Sequence, residues 1–93
     1  MPDFLNLSKN SLLKVMQDLD EQNFNSAINF ATASQESMRV IRLKDLAKMH
    51  EALIEYISKE DIKNAKKVIN KLLPLIQKQI DLLDNYRKSK KKS

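Results

Sequence analysis

At 93 residues, with 42% hydrophobic and 31% charged side chains, the chain is expected to form one globular domain rather than a disordered polymer. It has no glycine, which argues against tight β-hairpins, and no cysteine, which excludes disulfides, thiolate metal sites and a cysteine nucleophile. The net charge of +5 averages three different regions: residues 1–38 carry a net of −3, residues 39–86 a net of +3, and the last seven residues +5 through Arg87, Lys88, Lys90, Lys91 and Lys92. The start, Met1-Pro2-Asp3-Phe4, has neither the basic stretch nor the apolar run of a secretory leader. No apolar run approaches the roughly 20 residues that span a bilayer. A cytoplasmic protein with no membrane span is the expectation.

The first helix is predicted over Lys9–Leu19, capped by Ser8 or Asn6, with an apolar stripe of Leu12, Val15, Met16 and Leu19. Asp20 is read as the N-cap of a second helix over Glu21–Ala33, in which Phe24, Ala27, Ile28 and Ala31 share a face. The polar stretch Ser34–Ser37 is read as the following turn. A third helix over Met38–Ile57 places Leu43, Leu46, Ala47, His50, Leu53, Ile54 and Ile57 on one side and Lys44, Lys48, Glu51 and Glu55 on the other. Ser58-Lys59-Glu60-Asp61 resembles a capping box and opens a long fourth helix over Glu60–Tyr86. Its apolar rows (Ile62, Ala65, Ile69, Leu72, Ile76, Leu83 and Tyr86, interrupted by Gln79; Val68, Leu75, Leu82; Leu73, Ile80) are wider than one neighbouring helix can cover. Pro74 deletes a hydrogen bond in mid-helix, so a kink is expected there. Residues 1–87 would form the bundle and 88–93 a disordered basic tail.

The chain nearly repeats itself at a spacing of 38. Laying Leu12–Ser34 over His50–Leu72 puts Val15 on Leu53, Leu19 on Ile57, Phe24 on Ile62, Ala27 on Ala65 and Ala31 on Ile69. The segments Asn23-Phe24-x-x-Ala27-Ile28-x-Phe30-Ala31 and Asp61-Ile62-x-x-Ala65-x-x-Val68-Ile69 resemble half-units of tetratricopeptide-like repeats. Open solenoids need three or more repeats, so two imply an all-α, closed four-helix bundle of two helical hairpins, or a dimer that completes one.

No motif points to catalysis, a cofactor or a metal. His50 is the sole histidine, and the metal patterns that would use it fail because Ala47 and Ile54 occupy the partner positions. It reads instead as a rim or half-buried histidine bonded to a neighbour. The acidic pairs Glu51/Glu55 and Glu60/Asp61 fall on solvent faces or at a helix start, where nothing separates their pKa values. A non-enzymatic interaction protein is therefore expected. Its partner, another helix or a second copy in a homodimer, would dock on Leu75, Ile80, Leu82 and Leu83. The alternative is a small nucleic-acid-associated protein that contacts phosphates through Arg39, Arg42, Lys63, Lys66, Lys67, Arg87, Lys88, Lys90, Lys91 and Lys92. Basic residues at a helix start oppose its dipole, which makes Arg39 and Arg42 unusual if the third helix begins at Met38.

Overall fold

Three of the chain's helices end in the same way, and that shared ending sets the architecture. The computed structural model describes residues 3–91, with side-chain surroundings as far as Tyr86. Four helices follow one another: α1 (Phe4–Asp20), α2 (Phe24–Val40), α3 (Lys44–Ser58) and α4 (Ile62–Lys91). Each connection is three residues long, and its middle residue is left-handed: Gln22 (φ 58°), Arg42 (φ 62°) and Glu60 (φ 59°). At the first turn the Asn23 N–H donates to the Asp18 carbonyl (2.7 Å) and the Gln22 N–H to the Leu19 carbonyl (3.1 Å). The same pair recurs as Leu43 to Met38 (2.9 Å) with Arg42 to Arg39 (3.1 Å), and as Asp61 to Tyr56 (2.9 Å) with Glu60 to Ile57 (2.9 Å). These are Schellman closures, which satisfy carbonyls that a helix end leaves free. Glycine normally supplies the left-handed residue, and its Cβ-bearing substitutes cost about 1 kcal/mol each. The residue closing each turn also starts the next helix: Ala27, Ala47 and Ala65 donate their N–H to Asn23, Leu43 and Asp61, each at 3.0 Å. All three alanines are buried, so each helix leaves its turn with a small side chain against its neighbour.

These turns move the helix boundaries expected from sequence. α1 begins five residues early because Asp3, not Ser8 or Asn6, is the cap: its carboxylate accepts from the Asn6 N–H at 3.1 Å. Asp20 is the last residue of α1 rather than a cap, and Asn23 opens α2. The segment Ser34–Ser37 is helical and the turn lies at 41–43, so Met38–Val40 belong to α2 and α3 begins at Lys44. Ser58 closes α3, and Asp61 caps α4 by accepting the Asn64 N–H at 3.3 Å. α4 passes through Pro74 without interruption and runs on to Lys91, across most of the segment read as a disordered tail. Nothing between Arg87 and Lys91 breaks a helix, and lysine is a good helix former.

The short turns make successive helices antiparallel. Each packs on its predecessor, and α1 packs on α4, which closes the ring. Leu12, Val15, Leu19, Ala27, Ala31, Met38, Leu53, Ile57, Ala65, Ile69, Leu72 and Ile76 are fully buried in the single core. The 38-residue correspondence extends to burial: Leu12/His50, Val15/Leu53, Leu19/Ile57, Ala27/Ala65, Ala31/Ile69 and Ser34/Leu72 are pairs in which both members are sealed. Lys9 donates to the Gln77 side chain at 2.7 Å and Lys66 pairs with Asp20, which fixes the antiparallel register of α1 on α4. That register sets the first turn of α1 abreast of Ile80–Leu82. At about 1.5 Å per residue the 30 residues of α4 span about 45 Å, most of the molecule's 51 Å length, while the other helices reach about 25 Å. The end of α4 beyond Leu82 therefore outruns the bundle.

Candidate interaction surface

On α4 the buried positions are Ala65, Ile69, Leu72 and Ile76, spaced four, three and four apart. Beyond Ile76 only Ile80, on the same stripe, still packs partly against the core, and residues 81–86 are all exposed. Of the four residues expected to meet a partner, Leu75, Leu82 and Leu83 are 41%, 53% and 37% exposed, and Ile80 is half-buried. Leu75 and Leu82 lie seven residues apart, so they share the outer side of the helix. The structure thus leaves three large aliphatic side chains partly exposed on one element.

Leu75 also has neighbours that sequence reasoning missed. It forms one wall of a groove between α4 and the start of α3, floored by Leu46 and Met49. Arg42, Lys44 and Lys78 stand around the groove, with Asp45 as its single acid. No ion pair or side-chain hydrogen bond engages Arg42, Lys44 or Lys78 among the described residues. A shallower hollow beside it, around Ala47, brings Arg39 and Lys48 to the same Arg42 and Lys44. The signal for this cluster is present in the sequence, but placing the turn at Ser34–Ser37 scattered it. With the turn at 41–43, Arg39 falls in the last turn of α2, where a cation favours the helix dipole, and it pairs with Glu36 at 3.3 Å.

The basic residues of the alternative reading are not brought onto one surface. Arg39 and Arg42 lie at the α2–α3 turn. Lys63, Lys66 and Lys67 follow the α3–α4 turn, separated from them by the length of α3, about 22 Å. Lys66 is held by Asp20. Lys63 and Lys67 flank Asp61, whose carboxyl is held below the usual carboxylate range first by the Asn64 side-chain hydrogen bond, then by the Asn64 backbone N–H, with the two lysines adding to it. The side chains of Arg87, Lys88, Lys90 and Lys91, and the whole of Lys92, lie outside the described residues.

His50 is not a rim residue. It is fully buried and joins three helices: its ring bonds Ser34 on α2 at 2.7 Å and the Leu46 carbonyl at 2.7 Å, and Ser34 in turn bonds Ser8 on α1. A carbonyl only accepts, so Nδ1 carries the proton and Nε2 accepts from the Ser34 hydroxyl. Burial pushes the histidine below its ordinary value of 6.5, against the Leu46 bond, which raises it, so the ring is neutral. The Ser34–His50 pair has the composition of a nucleophile and base, but both groups are sealed from solvent, and the pair acts as a fastener. Asp18 is a second fastener, buried at the end of α1, accepting from the Ser26 hydroxyl at 2.6 Å and facing Lys14 at 3.6 Å.

No group of three metal-ligating side chains gathers among the described residues, and no helix there is long and apolar enough to cross a membrane. Compared with protein families, curated proteins and solved structures, the chain finds no match.

Proposed function

We propose that this chain is a non-enzymatic helical interaction protein that docks a partner helix, from a second copy or another protein, along the outer side of α4. The observation that carries this is the exposure of Leu75, Leu82 and Leu83 on a helix whose end outruns the bundle. Burying three leucines against a partner is worth several kcal/mol at about 25 cal/mol per Å² of apolar surface. Nothing in the bundle makes use of it. Pro74 leaves the Asn70 carbonyl without its helical donor, and a bend there would aim the projecting half toward that partner.

The test is the double substitution Leu75→Glu with Leu82→Glu, read by circular dichroism and by mass in solution with and without candidate partners. A folded protein that has lost its assembly supports the proposal. An unfolded one makes these leucines ordinary core and ends it. The alternative function, a nucleic-acid-associated protein, draws on the exposed lysines Lys63, Lys67, Lys71 and Lys78 along α4. Salt separates the two: phosphate contacts weaken steeply with ionic strength, and apolar docking does not.

A further inference from the structure

From the groove between α3 and α4 we infer the chemistry of the partner: an amphipathic helix of another protein whose apolar stripe is flanked by acidic side chains. The inference rests on the helix-docking function proposed above and adds the sign of the partner's charge and its seat. The floor is apolar, formed by Leu46 and Met49 with Leu75 in the wall. It suits side chains at i, i+3 and i+4 of a helix laid between α3 and α4. The border is cationic. Among the described residues Arg42, Lys44 and Lys78 have no acid engaged, and Asp45 is the one opposing charge lining the groove. Arg39 and Lys48 extend the same sign next door, although Arg39 is shared with Glu36 and Glu51 also lines that hollow. Unpaired cations around an apolar groove are complementary to glutamates or aspartates flanking a row of leucines.

Two other occupants match less well. A nucleic-acid strand would find cations but could not use the aliphatic floor, and no aromatic side chain lines the groove for a base to stack on. A second copy would offer its projecting α4, which carries Leu82 and Leu83 with Asp81 and Asp84 but continues into Arg87, Lys88 and Lys90, of the wrong sign for this border.

The experiment titrates the full isotope-labelled chain, at low and moderate salt, with two synthetic 20-residue amphipathic helices sharing one leucine stripe, one flanked by glutamates and the other by lysines. A 12-nucleotide oligothymidylate is the third probe. The glutamate peptide is expected to bind about tenfold more tightly than the lysine peptide at low salt, with amide shifts concentrated at 42–49 and 75–79. Lys44→Glu with Lys78→Glu, both exposed, should reverse the preference. Equal binding of both peptides overturns the acidic assignment yet leaves helix docking standing, provided Leu75→Glu abolishes it. Shifts mapping outside the groove, or binding of oligothymidylate alone, overturn the inference. So does failure of both peptides to bind. If Leu75→Glu binds the glutamate peptide as well as wild type does, the helix-docking proposal itself fails.

Discussion

From Ile62 to Ile76, α4 sends Ala65, Ile69, Leu72 and Ile76 into a sealed core; from Asp81 to Tyr86 every residue is exposed, although Leu82 and Leu83 are no less apolar. The two stretches differ in their neighbours rather than in their composition. α1 starts at Phe4 and its register on α4 runs out near Leu82, so the second stretch meets only the first turn of α1, whereas the first lies along the bundle. Hydrophobic periodicity states that a face calls for burial. Which body buries it depends on where the other helices stop.

This contrast can be tested by mutation, and the largest expected effect lies in the bundled stretch. Leu72→Ala should cost about 2–5 kcal/mol in a urea titration, because it opens a cavity between packed helices. If it costs under 1 kcal/mol, the buried half of α4 is no better packed than the projecting half, and the comparison collapses.

The next effect concerns acid. Below pH 6.5 the unfolded chain protonates His50, while the folded chain, whose histidine is held lower, does not. The unfolded state then binds more protons, so stability is complete above that pH, falls as the pH drops toward the lower folded value, and levels off below it. His50→Gln should flatten this segment of the profile, measured by denaturation at stepped pH. An unchanged slope would remove the histidine from the fastening role.

A smaller effect, of opposite sign, belongs to the turns. Gln22→Gly should raise stability by about 1 kcal/mol by removing a Cβ from a left-handed residue, and Glu60→Gly should do likewise. Smallest of all is Leu82→Ser, expected to change the stability of the isolated chain by less than about 0.5 kcal/mol, in contrast to Leu72→Ala. A large loss would show that the projecting stretch is packed after all.

The four helices, their hairpin pairing and most of the core could be read from the sequence, because apolar spacing and the 38-residue correspondence both report on burial directly. The boundaries could not. Three turns use Gln22, Arg42 and Glu60 where glycine is the usual signal, and Asp20 and Ser58, good caps by type, end helices instead of starting them. The misplaced α2–α3 turn hid the groove: it separated Arg39 from its own helix and drew Leu43, a turn residue, into α3. The exposure of Leu75, Leu82 and Leu83 was legible because too many apolar rows compete for too few neighbouring helices. Ile80 belonged to the stripe that the bundle half covers. The fate of His50 depended on Ser8 and Ser34, which lie on two other helices and carry no local signal.

The closed ring has a consequence for how the chain reaches this shape. Its extensive interfaces join helices that follow one another, with the single exception of α1 on α4. Each hairpin closes over three residues, so little chain entropy is lost before packing begins, and topologies of this kind fold in microseconds to milliseconds. The seam between α1 and α4 joins the most distant parts of the sequence. Lys9 with Gln77 and Lys66 with Asp20 cross it, and of the four interfaces it is the one that closes the longest loop of chain.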